Sequence, residues 1–117
     1  MAHILLIDDD SNHGFLLVHI LQRDGHEVVY TDDLSKIVDI VFDVNPQLIL
    51  LDIVLPEMSG VEVANQLRSV REFDHIPLVA ITAVDISLLN EEHNIFDDVI
   101  SKICSPEELR AEIKRFV

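Results

Sequence analysis

Five side chains stand directly after short apolar runs and are of types that do chemistry together. Asp8 and Asp9 follow Ile4 to Ile7, Asp52 follows Leu48 to Leu51, Thr82 follows Leu78 to Ile81, and Lys102 comes just after Val99 and Ile100. Three carboxylates brought to one place repel each other unless a cation sits among them. Oxygen-only ligands of high charge density select a hard ion, and a few carboxylates completed by water and a phosphate oxygen is the usual arrangement for Mg2+. Asp9 would bind that metal directly and Asp8 through water or at its edge. Lys102 is a point charge suited to a phosphate oxygen, and the Thr82 hydroxyl can donate to another. Asp52 would then attack phosphorus in line, giving an aspartyl phosphate.

Each residue alone has an ordinary explanation. A lone aspartate after a strand is most often a helix cap, and Asp10 is assigned to that role or to a metal-bound water. Thr82 alone reads as a turn residue and Lys102 alone as a solvated charge. The combination is more specific than its members, because all five fall at the carboxyl ends of predicted strands. The six histidines, at positions 3, 13, 19, 26, 75 and 93, show no zinc-site spacing.

The elements that must position these groups alternate between short Ile/Val/Leu runs and segments of helical period. Ile4 to Ile7 is a strand, and Phe15 to Leu21 marks a helix that Gly25 can close in a left-handed conformation. Val28 to Tyr30 is a second strand, followed by a helix with Leu34, Ile37, Val38, Val41 and Phe42 on one face and Asn45-Pro46 at its end. Leu48 to Leu51 is a wholly apolar third strand. A helix marked by Val61, Ala64, Leu67 and Val70 follows, with Ser59 or a neighbour as its cap. Leu78 to Ile81 is the fourth strand, then a short, poorly defined helix around Asn90 to Asn94, a brief strand at Val99-Ile100, and a last helix opened by Ser105-Pro106-Glu107-Glu108.

Five βα units in 117 residues predict a single domain over 1–117. The fold class is α/β, a doubly wound five-stranded parallel sheet in the flavodoxin-like order 2-1-3-4-5 with helices on both faces. In that order strands one and three are neighbours, which brings Asp8, Asp9 and Asp52 together, with Thr82 and Lys102 at the next positions.

Composition removes several classes of function. The net charge of −14 repels nucleic-acid phosphates and anionic lipid, so neither direct nucleic-acid binding nor a membrane partner is expected. No apolar run approaches the ~20 residues of a membrane helix. Cys104 is the only cysteine, which together with the lack of a secretory leader pattern points to a reducing, cytoplasmic setting. There is no glycine-rich phosphate loop for a nucleotide or flavin, and no Ser/His/Asp or Cys/His grouping for a hydrolase.

The segments Ile7-Asp8-Asp9-Asp10, Leu50 through Asp52 and Pro56 to Gly60, Ile81-Thr82-Ala83 and Ser101-Lys102 resemble response-regulator receivers over the whole chain, most closely single-domain or cell-cycle-type regulators. The resemblance implies phosphoryl transfer to Asp52 from a phosphohistidine on a sensor histidine kinase or histidine phosphotransfer protein, with small donors such as acetyl phosphate able to substitute. It implies that the Val54 carbonyl is a metal ligand and that backbone N–H groups near Val54 and Ala83 face the phosphoryl oxygens. It also implies a switch that draws Thr82 inward and alters a surface read by a downstream effector protein or domain, and it leaves room for a homodimer. The only catalysis implied is of the chain's own Mg-dependent phosphorylation and dephosphorylation.

Three departures bear on that switch. Ile103 follows Lys102 where the family usually has a proline in a cis bond, Val99 stands where a Tyr or Phe ring usually turns inward, and Ile95-Phe96 replaces the usual glycine before the last strand. Leu88, Leu89, Ile95, Phe96 and Ile103 are read either as an exposed partner surface or as core. The competing reading is a receiver-fold interaction module that works without phosphorylation.

Overall fold

The computed structural model describes residues 3–53, 60–83, 95–102 and 104–117. Five strands, β1 (His3–Ile7), β2 (Glu27–Thr31), β3 (Leu48–Asp52), β4 (Leu78–Thr82) and β5 (Asp98–Ser101), form one sheet in the order β2-β1-β3-β4-β5. Every neighbouring pair is parallel. The helices are α1 (Ser11–Arg23), α2 (Ile37–Val44), α3 (Gly60–Arg68) and α4 (Pro106–Lys114). The expected α/β class and strand order are therefore observed.

Alternation along the strands divides the interior into two layers. Leu5, Ile7, Ile49, Leu51, Leu78 and Ala80 pack with Ile37 and Val41 of α2 and Val63, Ala64 and Leu67 of α3. Ile4, Leu6, Leu48, Leu50, Val79 and Ile81 point the other way, onto Leu17 and Leu21 of α1 and Leu109 and Ile113 of α4. Both faces of β3 and β4 are covered, so their strand residues are all buried, which is why these segments read as unbroken apolar runs.

Turn chemistry agrees with the sequence in most places. Gly25 has φ +89° after α1, and Asn45 ends α2 in the left-handed region at φ 49°. The Ser105 hydroxyl oxygen accepts from Glu108 N at 3.1 Å, with Pro106 in the first turn of α4.

Several expectations need correction. Leu34 lies in a 3-10 turn (Leu34–Lys36) preceding α2, because Asp33 caps that turn by accepting from Ser35 N. Val70 is beyond α3, which stops at Arg68, and it precedes a 3-10 turn (Arg71–Phe73) that brings Phe73 into the core. Phe15 to Leu21 do lie in a helix, α1, whose buried stripe is Gly14, Leu17 and Leu21, with Phe15 and Leu16 exposed. Phe96 is buried and Ile95 packs against the same layer, so these two belong to the core rather than to a partner surface. Val99 is half-buried against that layer as well. The predicted helix around Asn90 to Asn94, Leu88, Leu89, Ile103 and the Ser59 cap lie outside the described residues.

Asp97 and Asp98 both make specific bonds. Asp97 Oδ2 accepts from Leu78 N at 2.7 Å and from Arg68 at 3.2 Å, tying the start of β4 to α3. Asp98 Oδ2 accepts from Arg115 at 2.8 Å.

Candidate functional site

Sheet register sets the level of each candidate residue. Ile7 pairs with Leu51, so Asp8, one step on, stands beside Asp52 at the carboxyl ends of adjacent strands. Thr82 ends β4 opposite Ser101, and Lys102 follows β5 directly. The chain leaves β1 for β2 on one side and reaches β3 on the other, so the cluster occupies the switch point where parallel sheets bind ligands.

Oxygen atoms of Asp8, Asp9 and Asp52 all lie within 4.8 Å of one another. Asp8 and Asp52 are buried, whereas Asp9 is exposed. An octahedral ion with bonds of about 2.1 Å spans about 4.2 Å between opposite ligands, so small side-chain adjustments fit this donor set to Mg2+. The donors are carboxylate oxygens throughout, which suits a hard cation.

Lys102 reaches into the cluster. Its Nζ donates to Asp52 Oδ2 at 2.9 Å and lies 3.3 Å from Asp8 Oδ2. Burial works to lower the lysine pKa, but the hydrogen bond and charge of Asp52, with those of Asp8, outweigh it and raise the value above its ordinary one. The ammonium is therefore firmly charged. Burial likewise acts to raise the Asp8 pKa, and the Asp10 N–H, His13, Asp52 and Lys102 together bring it below the usual carboxylate value. Thr82 is fully buried, and its carbonyl accepts from Lys102 N at 2.8 Å, which fixes the lysine backbone to the end of β4.

Asp10 proves to be the helix cap of its two assigned options. Its carboxylate accepts from Asn12 N and His13 N at 3.1 and 3.3 Å, starting α1 and with it the turn that carries Asp8 and Asp9. Val54, the expected carbonyl ligand, lies outside the described residues. Ala83 is described and exposed.

Sequence reasoning missed the roles of three supporting residues. His13 Nδ1 is 2.9 Å from Asp8 Oδ2, and the signal available was a polar ring in the first turn of a helix that follows an acidic loop. The Tyr30 hydroxyl donates to the Asp8 carbonyl at 2.6 Å. Its ring lies over Gly14, where an added Cβ would sit 1.8 Å from a ring carbon. Gly60 is the third: a Cβ there would meet the Asp52 carbonyl oxygen at 2.5 Å, and Gly60 N donates to the Ile53 carbonyl at 2.6 Å. Only glycine lets α3 begin this close to the end of β3.

Comparison with known proteins agrees with this geometry. Residues 4–114 match the family described as the response regulator receiver domain. Among curated proteins, the chain is 33% identical over 114 residues to the alkaline phosphatase synthesis transcriptional regulatory protein PhoP of Bacillus subtilis, covering 95% of this chain and 46% of that one. It is 34% identical over 80 residues to the polar-differentiation response regulator DivK of Brucella ovis, covering 68% of this chain and 65% of that one. The chain thus spans about half to two thirds of the length of these relatives. Among solved structures, the response regulator TrrA of Thermotoga maritima in complex with Mg2+ and BeF superposes with a TM-score of 0.88 at 27% identity, covering 100% of both chains.

Proposed function

The chain belongs to the response regulator receiver domain family of two-component signalling, and from that premise we propose that it takes a phosphoryl group onto Asp52 with the help of Mg2+. The observation that carries the reading is the contact of Lys102 Nζ with Asp52 Oδ2 at 2.9 Å inside a cluster whose three carboxylates approach within 4.8 Å.

Asp8, Asp9 and Asp52 would hold the ion, with the Val54 carbonyl as a further ligand. When bound, Mg2+ would offset the charge that gathers on the phosphoryl oxygens. An oxygen of Asp52 attacks phosphorus in line; the new O–P bond forms as the bond from phosphorus to the donor breaks, and the donor leaves with that electron pair. Lys102 shifts its charge from Asp52 to a phosphoryl oxygen, and the Thr82 hydroxyl donates to another. The burial of Asp52 and Thr82 keeps bulk water from these groups.

The donor would be a phosphohistidine of a sensor histidine kinase or phosphotransfer protein. Reaction with water would return Asp52 to its free carboxylate, so the chain acts on itself rather than on an outside substrate. The phosphorylated form would present a changed surface to a downstream effector, as one receiver unit over 1–117, in the cytoplasm. That a receiver solved with Mg2+ and BeF shares this fold over its full length supports the metal. Among the described residues no helix is long and apolar enough to cross a membrane.

The test is a phosphate-affinity gel with acetyl phosphate and Mg2+. A retarded band that disappears in Asp52→Asn is expected. Partner binding that is unchanged by Asp52→Asn, in a chain that takes no phosphoryl group, would favour the phosphorylation-independent module instead.

A further inference from the structure

Asp8 is fully enclosed, at 0% exposure, and its two oxygens are held from three sides. Asp10 N–H donates to Oδ1 at 3.0 Å, His13 Nδ1 lies 2.9 Å from Oδ2, and Lys102 Nζ lies 3.3 Å from Oδ2 and 3.4 Å from Oδ1. An ionised carboxylate only accepts, so the imidazole presents Nδ1–H to it. The ring is itself well covered, with 15% of the side chain exposed. Its backbone N–H is fixed by the Asp10 carboxylate at 3.3 Å. His13 is thus fixed at the backbone and at the ring by two neighbouring aspartates.

Lys102 has two successive tasks in the transfer. At rest it bonds Asp52 and Asp8 together. During transfer its charge goes to the phosphoryl group, and Asp8, which the ion would meet only through water or at its edge, loses the ammonium that touches it in a place closed to solvent. A buried carboxylate that gives up a charged donor is disfavoured, and the Asp10 N–H covers only Oδ1, so Asp8 would hold the lysine back. The His13 N–H is directed at Oδ2 and does not leave.

We propose that His13 is a positioning residue that keeps Asp8 satisfied and so releases Lys102 to the phosphoryl group. The inference rests on the phosphoryl-transfer reading of the site and adds a residue to it. His13 touches neither phosphorus nor the attacking oxygen; it acts through Asp8.

The experiment compares the full chain with His13→Leu and His13→Met, which fill the space without a donor, and with His13→Asn, which returns an N–H near the Nδ1 position. Mg2+ binding is followed by the fluorescence of Tyr30, the one tyrosine in a chain without tryptophan, whose hydroxyl bonds the Asp8 carbonyl at 2.6 Å. Labelling by acetyl phosphate is timed at saturating Mg2+. With Mg2+ saturating each variant, the donor-free variants should label about tenfold more slowly, the weight of one hydrogen bond to a charged group, and His13→Asn should recover most of the rate. Wild-type labelling rates in the donor-free variants, or an asparagine variant as slow as they are, would overturn the inference alone. A wild-type chain that takes no label would overturn the phosphoryl reading itself, and this role with it.

Discussion

Lys102 and Asp52, fifty positions apart in the chain, meet with Nζ 2.9 Å from Oδ2, and the same ammonium stands 3.3 Å from Asp8. One lysine therefore holds two buried carboxylates together, with Asp9 close by as a third. The cluster sets three carboxyl groups against one ammonium, a donor set that suits a cation.

Mg2+ should stabilise the folded chain, because the ion binds a site that the unfolded chain does not possess. At tenfold excess over its dissociation constant the gain is about 1.4 kcal/mol, which in a chain of this size raises the melting temperature by several degrees. Calorimetry with Mg2+ and with chelator measures it. Asp9→Asn should lose most of the shift, and an equal shift in that variant would count against the assigned ligands.

Gly60→Ala should destabilise the protein by about 1 to 3 kcal/mol, the usual cost of forcing atoms into a filled space. The new methyl would meet backbone atoms of Asp52 and Ile53 at 2.5 and 2.6 Å, so the end of β3 must move. Denaturant unfolding reads the stability, and slower phosphoryl labelling of the variant reads the displaced Asp52.

Asp97→Ala should cost about 1 kcal/mol or somewhat more through loss of the bonds from Leu78 N at 2.7 Å and Arg68 at 3.2 Å. These bonds lie at the amino end of β4, away from the carboxylate cluster. The Mg2+-dependent rise in melting temperature should therefore match that of the wild type.

Much of the fold was legible because both faces of β3 and β4 are buried, which leaves apolar runs such as Leu48 to Leu51 that no surface strand would have. The convergence of Asp8, Asp9, Asp52 and Lys102 was legible for a related reason: residues placed after parallel strands collect at one edge. His13, Tyr30 and Gly60 were not, since their roles depend on atomic distances across elements rather than on periodicity. Helical spacing marks two adjacent stripes on α1, and only packing against the sheet selects the one containing Leu17 and Leu21. The role of Asp97 was hidden because a carboxylate at the start of a strand has the same appearance in sequence whether or not a backbone N–H faces it.

Cys104 should alkylate slowly. Burial first, and the Glu108 charge second, raise its pKa above the ordinary thiol value, so at pH 8 less of it is thiolate than in a free cysteine. Iodoacetamide labelling followed against pH should rise at more alkaline values than for a model thiol. Unfolding in denaturant should restore the ordinary profile.

The central claim is that Asp52 is the residue that receives phosphorus. Incubation with acetyl phosphate and Mg2+, borohydride trapping of the acyl phosphate and tandem mass spectrometry of the digest test it at the level of the single side chain. The account predicts one modified residue, Asp52, formed only when Mg2+ is present. Modification at Asp8 or Asp9 instead, or none at any residue with the metal saturating, would contradict it.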